Sequence, residues 1–471
     1  MTPTSKRRTG TTPCAWATVA ALVLLGACAV PGQQPAAASK PGKLSDALPW
    51  DDVGSFTNGF SWVRRGDKWG FIDKTGNVVV EPTWDHVQEF EKGFAPAMRG
   101  KLWGIIDQSG KVVIEPHWQS AWIAERGIFL VQQDGKWGAV DQSGSLIIEP
   151  QWDLMYSFYD DLAWVANGTF PDGAKYGFID RAGHVVIALE WDRVSSFFDG
   201  LAAVERGGKY GFIDKSGKVV IALQWDKADP FSGGLAQVWT GDKWGLIDPA
   251  GRVVCAPQWE NQTEPLNLVT GLMAVKRGGK WGLIDKKGKV IVEPVWDDIG
   301  HFHEGLAPVK RGDKWGFIDE TGRVVIEPQW SSTSSFSEGF ASVDFPGRRG
   351  REGYIDKTGQ VAITPQWDFA GTFYDGRAYV WLGEIGSRKY GFIDKTGQII
   401  GDSSWDDAKS FTEGFAQVAR GDKWGYIDVN GKVISEPQWD TADDFHDGIA
   451  RVSRGGKWGI IDHTGRVLGT P

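Results

Sequence analysis

The sequence predicts an all-β protein built from twelve tandem antiparallel units with a basic period of 34 residues. Three observations predict this fold. A segment typified by residues 314–330 recurs twelve times, each copy contains the same tight-turn signature, and the copies are rich in Val, Ile, Phe and Trp punctuated by Gly. No part of the repeated region has the apolar spacing of an amphipathic helix over three turns.

A pair of aromatic positions defines each unit. The first is an aromatic residue followed by Gly, and a second Trp comes fifteen residues later. In eleven units the first position is Trp69, Trp103, Trp137, Tyr176, Tyr210, Trp244, Trp281, Trp315, Tyr390, Trp424 or Trp458, and in the ninth unit it is Glu352. The second positions are Trp84, Trp118, Trp152, Trp191, Trp225, Trp259, Trp296, Trp330, Trp367, Trp405 and Trp439, with Trp50 ahead of the first unit.

The unit 296–330 shows how each copy is expected to fold. We expect a short extended piece at 296–299, a turn at Glu304-Gly305, and strands over 306–310, 314–319 and 323–326. The last two strands are joined by Asp319 and Gly322, a spacing present in all twelve units. Asp favours the first position of a tight turn and Gly accepts a positive φ, so this spacing predicts a hairpin. Calcium binding is the alternative, but the intervening Lys, Thr, Ser and Gln residues supply too few oxygen ligands.

Strand alternation places apolar side chains on both faces, with Trp315 and Phe317 on one face and Ile318 on the other. A sheet that is apolar on both faces must be covered on both, so neighbouring units are expected to stack face to face. We expect a Trp of the adjacent unit to pack over Gly316, which lacks a side chain. The stack predicts a closed, propeller-like ring, or two rings formed by six-unit halves at 49–258 and 259–471, and an open β-solenoid is the alternative.

The repeated Lys-Trp-Gly-Phe-Ile-Asp pattern resembles the WG-repeat family of bacterial proteins, across residues 50–471. The resemblance implies a β-repeat architecture and brings no catalytic residues to carry over. Glu352 is the clear departure from the pattern. Function is therefore expected where the units depart from the framework.

The N-terminal segment is expected to be an export signal. Residues 1–27 have basic residues, then an apolar run and small residues before Cys28, which resembles the lipobox of bacterial lipoproteins. The resemblance implies cleavage before Cys28 and lipidation of that residue, with residues 28–48 as a flexible tether and 49–471 as the repeat domain. An ordinary secretory signal or an uncleaved anchor are the alternatives. We therefore expect an exported protein, lipid-anchored at the bacterial cell envelope.

Charge and composition narrow the function classes. The formal net charge of −9 argues against a nucleic-acid partner, because that affinity comes mainly from basic side chains. No nucleophile elbow, phosphate loop or metalloprotease motif is present, so no catalytic residue, metal or cofactor is predicted. His301 and His303 form a weak candidate metal pair without further ligands in the sequence. Cys255 replaces an aliphatic residue and is expected to be buried.

Candidate binding residues lie where the units differ. Insertions at 166–174, 344–352 and 382–388 fall between the same two strands, and a fourth lies at 261–270. The candidates are Arg348, Arg349 and Arg351 in a basic insertion, the neighbouring Glu352, and the extra aromatics Trp164 and Trp381. Neutral variation of loop length is the alternative. The sequence favours a non-enzymatic scaffold lipoprotein that binds a protein partner. A lectin-like or peptidoglycan-binding module is second, and a hydrolase with dispersed carboxylates is third.

Overall fold

The protein forms a single ring of twelve small antiparallel sheets, which we call blades 1–12 in chain order. The computed structural model describes residues 48–125, 127–169, 173–260, 271–345, 351–382 and 389–469. All regular elements in these ranges are strands, and none of the described residues belongs to a helix long and apolar enough to cross a membrane. The expected all-β repeat is confirmed, and the closed ring replaces the open solenoid alternative.

A typical blade has four strands in sequential order, the first of them short. The first strands are Asp52–Val53, His86–Val87, Ser120–Glu125, Leu154–Met155, Arg193–Val194, Lys227–Ala228, Asp298–Ile299, Phe369–Ala370, Asp407–Ala408 and Thr441–Ala442, with none described in blades 7 and 9. The second strands are Phe60–Arg65, Phe94–Arg99, Ile128–Gln133, Ala163–Asn167, Leu201–Arg206, Ala236–Thr240, Leu272–Arg277, Leu306–Arg311, Phe340–Asp344, Arg377–Leu382, Phe415–Arg420 and Ile449–Arg454.

The third and fourth strands carry the two aromatic positions. The third strands are Lys68–Asp73, Leu102–Asp107, Lys136–Asp141, Lys175–Ile179, Lys209–Asp214, Lys243–Ile247, Lys280–Asp285, Lys314–Asp319, Glu352–Asp356, Lys389–Asp394, Lys423–Asp428 and Lys457–Asp462. The fourth strands are Val78–Trp84, Val112–Trp118, Leu146–Trp152, Val185–Trp191, Val219–Trp225, Val253–Glu260, Val290–Trp296, Val324–Trp330, Val361–Trp367, Ile399–Trp405, Val433–Trp439 and Val467–Leu468. In blade 8 the fourth strand runs four residues beyond the predicted end at Ile326.

The Asp-x-x-Gly hairpin forms as predicted. In blade 8 the carboxylate of Asp319 accepts hydrogen bonds from the backbone N–H groups of Thr321 and Arg323, both at 3.0 Å, and from the Thr321 hydroxyl at 2.5 Å. Gly322 closes the turn with a φ of 83° and donates to the Asp319 carbonyl at 2.9 Å. These bonds, led by that from the Thr321 hydroxyl, lower the pKa of Asp319. The repeated Asp is therefore a turn residue.

The glycine of the Trp-Gly pair has a different role from the one expected. A Cβ on Gly316 would lie 2.3 Å from the Ile326 carbonyl oxygen and 2.6 Å from the Pro328 nitrogen, both in the same blade. The register shifts there, because Trp315 pairs with Trp330 while Phe317 pairs with Ile326. The fourth strand thus bulges over the glycine. The expectation that a Trp of the neighbouring unit covers Gly316 is wrong.

The hydrophobic core is divided into clusters that lie between consecutive blades. At the junction of blades 8 and 9, Phe317, Ile326 and Trp330 pack against Phe336 and Val343. The opposite face of blade 8 packs on blade 7 through residues that include Ala307, Val309 and Ile318. The same arrangement joins blades 6 and 7, where the buried Cys255 belongs to the cluster. Each blade therefore depends on both neighbours for burial of its faces.

The ring closes through the N-terminal end of the repeat domain. Trp50 and Trp458 exchange backbone hydrogen bonds at 2.8 and 3.2 Å, the same pairing that joins Trp69 and Trp84 within blade 1. Trp50 thus supplies the second Trp of blade 12 and packs in a cluster with residues of blades 1 and 12. A single closure joins blade 12 to blade 1, so the twelve blades form one ring and not two rings of six.

A recurring Lys–Asp ion pair links successive blades, and we call it the staple and its Lys the stapling Lys. In blade 5, the Lys209 ammonium lies 2.5 Å from Asp226, and the same carboxylate accepts the N–H of Gly241 in blade 6 at 2.7 Å. Equivalent pairs join Lys136 to Asp153 and Lys423 to Asp440. The bond from Lys209 is the main cause that lowers the pKa of Asp226. The Lys before the Trp-Gly pair and the Asp after the second Trp are therefore framework residues.

Candidate functional site

A cleft of about 440 Å³ opens between blades 9 and 10, where the framework aromatic is replaced by Glu352. Its walls come from the segment before the second strand of blade 9, from the first strand of blade 10 and from the residues around them. The cleft is lined by Ser332, Thr333, Ser334, Ser342, Glu352, Phe369, Ala370, Gly371, Thr372, Tyr374, Tyr379 and Ser410. Hydroxyl groups and aromatic rings therefore surround a carboxylate.

The junction of blades 1 and 2 shows one way in which this place is filled. There the Trp69 ring lies 4.7 Å from Trp62 of the same blade and stacks at 4.8 Å on His86 of the next blade, measured between ring centroids. In blades 9 and 10, Glu352, Ser342 and Phe369 occupy the corresponding three positions. Relative to that junction, a carboxylate and a small hydroxyl replace two large rings, and the loss at Glu352 is the one that the other eleven units do not share.

Glu352 is held with its carboxylate in the cleft. It begins the third strand of blade 9, pairing with Asp344 on the second strand and with Trp367 on the fourth. One carboxylate oxygen accepts the backbone N–H of Ala370 in blade 10 at 2.7 Å. Burial, together with the charge of Asp344, raises the pKa of Glu352 above its ordinary value of 4.5, in spite of that hydrogen bond. Within the described part of the chain, no cation forms an ion pair with this carboxylate.

Asp344 places a second negative charge directly across the strand pair. One of its oxygens accepts a hydrogen bond from the Ser331 hydroxyl at 2.6 Å, and the other is buried without a partner among the described residues. Like charges at directly opposed cross-strand positions destabilise a sheet. The fold therefore tolerates an unfavourable pair beside an open cleft, a pattern that is common at functional sites.

The equivalent pair has the opposite character in blades 7 and 8. In blade 8 the partners are Lys310 and Trp315, and the ammonium lies 5.6 Å from the indole centroid. Blade 7 repeats this arrangement. In blade 5 the second-strand position is also acidic, Glu205, but there Arg193 forms an ion pair with it at 3.3 Å. In its described residues, blade 9 thus has the acid without the cation.

Aromatic residues form the wall that faces Glu352. Phe369 is held between two rings, stacking on Trp381 at 4.0 Å and contacting Tyr379 at 5.4 Å. Behind this wall, the buried Tyr354 donates its hydroxyl to the Gly371 carbonyl at 2.6 Å, and burial raises the pKa of that phenol. The blade 10 side of the cleft is therefore preorganised by ring packing.

The structure brings only part of the predicted candidate set together. Glu352 lines the cleft, and Trp381 supports its wall through Phe369. Arg351 occupies the position of the stapling Lys and pairs with Asp368 at 3.4 Å, and its part in a binding patch stays a prediction. Its guanidinium also donates to the Gln366 carbonyl at 2.7 Å.

Trp164 belongs to a separate aromatic group in blade 4. Its ring stacks on Tyr156 at 5.2 Å, and Tyr156 stacks on Tyr159 at 6.3 Å. The two tyrosines are 49% and 39% exposed. Arg348, Arg349, the lipidation candidate Cys28 and the insertion at 261–270 lie outside the described residues. The insertions of blades 4, 9 and 10 do share the connection between the second and third strands, as expected.

Asp344, Ser342, Phe369 and Tyr379 were missed by the sequence reasoning. A comparison of the variable second-strand positions across units would have found Asp344, since it is acidic where blades 7 and 8 have Lys. The described residues contain no group of three or more His, Cys, Asp or Glu side chains placed to hold a metal ion.

Comparisons with known proteins give matches to solved structures and to a family model. Solved structures that match include an eukaryotic initiation factor, at 13% identity and a TM-score of 0.32, over 66% of this chain and 95% of that one. The extracellular domain of a putative hybrid two-component system from B. thetaiotaomicron matches at 11% identity and a TM-score of 0.24, over 85% and 67% of the two chains. A comparison with curated proteins gives no match.

The family model described as WG containing repeat matches eleven segments of the chain. They are residues 50–69, 69–103, 103–137, 137–168, 176–210, 210–244, 281–315, 315–344, 353–381, 390–424 and 424–458. The gaps at 168–176, 344–353 and 381–390 fall at the three insertions between the second and third strands, and the one at 344–353 also contains Glu352. These matches cover most of the repeat domain, and the chain belongs to the WG-repeat family.

Proposed function

We propose that this protein is a non-catalytic binding scaffold that holds a protein partner at the bacterial cell envelope, with the cleft between blades 9 and 10 as its docking site. One observation carries the proposal: the framework aromatic is lost at Glu352, and that loss coincides with an open cleft. Concave sites with aromatic walls and a few polar groups are typical of ligand recognition.

The envelope location rests on the sequence. The lipobox-like Leu25-Gly26-Ala27-Cys28 follows an apolar run, and the residues up to 48 are suited to a flexible tether. Export, cleavage before Cys28 and lipidation are parts of this proposal. Mass spectrometry of protein extracted from membranes tests them: a diacylated or triacylated Cys28 at the N-terminus supports the anchor, and an intact Met1 contradicts it.

Binding suits the cleft better than catalysis. Hydrolysis of a glycosidic bond uses two carboxylates that flank the same substrate. Of the described lining residues, Glu352 is the acid, and the unpartnered oxygen of Asp344 is buried. Lining hydroxyls and aromatic rings can recognise a ligand without reacting with it.

Affinity capture from intact envelopes tests the docking site. The full chain serves as bait beside two variants, Glu352→Trp, which restores the framework ring, and Glu327→Trp, which adds the same side chain at an exposed position of blade 8. A protein retained by the wild type and by Glu327→Trp but lost from Glu352→Trp supports the proposal. Identical captured sets from all three baits would overturn it.

A glycan ligand is the second candidate, and the aromatic group around Tyr156 favours it. Exposed aromatic rings can stack on sugar rings, and Tyr156 and Tyr159 are both exposed in near-parallel orientation. A peptidoglycan pull-down with wild type and a Tyr156→Ala/Tyr159→Ala variant tests this alternative. Retention that depends on the two tyrosines supports it, and equal retention contradicts it.

A further inference from the structure

We infer that the cleft between blades 9 and 10 recognises a cationic side chain, an Arg guanidinium above all, presented by the partner protein. This inference rests on the proposed function, because it names the chemical group by which the partner docks. Four features of the described residues carry it: the charge of the cleft, its missing counter-ion, the aromatic wall and the engagement of the nearest basic side chain.

The first feature is uncompensated negative charge. Glu352 faces the cleft and Asp344 lies across the strand pair, and neither has an ion-pair partner among the described residues. A partly buried carboxylate loses hydration that its single backbone hydrogen bond replaces only in part. A ligand that brings a positive charge would restore this balance. An anionic ligand would add repulsion, and a neutral ligand would leave the charges uncompensated.

The second feature comes from the other blades. Blades 7 and 8 place a Lys ammonium over the framework indole, and blade 5 places Arg193 against Glu205. In these three blades a cation therefore lies against the residues that correspond to Asp344 and Glu352. At blade 9 both members of the pair are acidic, and the cleft leaves room for a cation from outside the chain.

The third feature is the aromatic wall. Phe369, Tyr374 and Tyr379 line the side of the cleft that belongs to blade 10. Aromatic faces attract cations, and the planar guanidinium stacks on them more readily than an ammonium does while forming two parallel bonds to a carboxylate. A carboxylate beside several aromatic residues thus favours Arg over Lys.

The fourth feature is that Arg351, the basic residue next to Glu352 in the sequence, already forms an ion pair and a hydrogen bond. Arg351 precedes Glu352, but its guanidinium is held by Asp368 and the Gln366 carbonyl in the staple between the blades. Among the described residues, this cation is therefore not available to neutralise Glu352.

The test titrates the full chain with three blocked tripeptides, acetyl-Gly-X-Gly-amide, in which X is arginine, lysine or citrulline. Citrulline keeps the planar shape of arginine without its charge. Nuclear magnetic resonance or calorimetry gives the affinities for the wild type, for Glu352→Gln and for the control Glu327→Gln, which removes an exposed charge in blade 8. Thermal melting of each variant confirms that it is folded.

We expect the arginine peptide to bind most tightly, the lysine peptide more weakly and the citrulline peptide least. Glu352→Gln should weaken arginine binding by roughly thirtyfold or more, and Glu327→Gln should leave it unchanged. Equal affinity for arginine and citrulline peptides, or equal affinity of the wild type and Glu352→Gln, would overturn the inference. Free arginine is titrated as a further ligand. If it binds as tightly as the arginine peptide, the proposal that a protein presents the cation is wrong.

The two proposals fail in different ways. If capture from envelopes depends on Glu352 but the arginine peptide does not bind, the docking site stands and the cationic ligand is wrong. If the arginine peptide binds through Glu352 but no protein depends on the cleft, the cation site stands and the scaffold function is wrong.

Discussion

Blades 8 and 9 share the order of their last three strands, the Asp-x-x-Gly hairpin turn and the packing against their neighbours, yet they differ at the cross-strand pair beside the cleft. In blade 8, Lys310 and Trp315 form a cation–π contact across the second and third strands. In blade 9, Asp344 and Glu352 occupy the same two positions and repel each other beside a cleft. The comparison teaches that the ring tolerates a local loss of stability, and that this loss marks its candidate site.

If the ring is closed, the junction between blades 12 and 1 should contribute to stability as much as the junction between blades 8 and 9. Trp50 is 2% exposed in the cluster between blades 12 and 1, and Trp330 is 7% exposed between blades 8 and 9. We expect Trp50→Ala and Trp330→Ala each to lower the free energy of unfolding by about 3–5 kcal/mol. Chemical denaturation monitored by circular dichroism measures both. A near-neutral Trp50→Ala variant would contradict a closed ring.

The next largest effect tests the bulge that both blades share. Gly316→Val places a side chain against the carbonyl of Ile326, and Gly353→Val does the same against Ile363 in blade 9, where the Cβ would lie 2.6 Å from the oxygen. Both should be destabilised by about 1–3 kcal/mol or more, because backbone atoms must move. The control is Gln329→Val, which creates the residue that blade 7 carries as the exposed Val295. A Gly316→Val variant as stable as this control would show that the bulge is not a constraint.

A smaller effect of opposite sign is expected at the altered pair. Glu352→Gln removes the repulsion with Asp344 and the cost of a partly buried charge, so it should stabilise the protein at neutral pH, by roughly 0.2–1 kcal/mol from the repulsion alone. The pKa of Glu352 is raised in the folded state, so its ionisation destabilises the fold as the pH rises from 4.5 through the raised value. The advantage of Glu352→Gln should therefore disappear as the pH falls below about 4.5.

Melting temperatures of the wild type and Glu352→Gln across this pH range measure the effect. Glu327→Gln serves as the control, since its carboxylate is exposed, and it should show no advantage at any pH. A Glu352→Gln variant that is less stable than the wild type at pH 7 would mean that the carboxylate is stabilised by its surroundings. The unfavourable contribution attributed to the Asp344–Glu352 pair would then be absent.

The smallest effect concerns the indole groups at the blade junctions. Trp439 donates its Nε1–H to the Ser435 hydroxyl at 2.9 Å, whereas Trp330 lies near Ile326 and its buried N–H has no partner within the described residues. We expect Ser435→Ile to change stability by less than about 1 kcal/mol, because added apolar burial offsets a lost hydrogen bond. Denaturation curves check this, and a loss above about 3 kcal/mol would show that the two junctions are not equivalent.

The repeated parts of the fold could be predicted because their cause is local. Asp319 and Gly322 specify the hairpin by their own backbone preferences, and alternation of Phe317 and Ile318 requires a cover on both faces. Glu352 could be identified because it breaks a pattern that eleven other units keep. These inferences depend on residues that are close in sequence.

The role of Gly316, the role of Arg351 and the cleft depend on contacts between residues that are far apart in the sequence. The role of Gly316 follows from a register shift in the opposing strand, which alternation alone does not show. Arg351 was assigned to a basic patch from local composition, but hairpin pairing puts it in the place of a stapling Lys. The cleft itself needs Ser342 from the same blade and Phe369 from the next one, so it exists only in the assembled ring.

The most direct test of the account exchanges the pair between the two blades. The double variant Asp344→Lys/Glu352→Trp gives blade 9 the pair of blade 8, and Lys310→Asp/Trp315→Glu does the reverse. We predict that the first melts at a higher temperature than the wild type and loses binding of the arginine peptide, and that the second melts at a lower temperature. A folded Asp344→Lys/Glu352→Trp variant that gains no stability and still binds the arginine peptide would contradict the central claim.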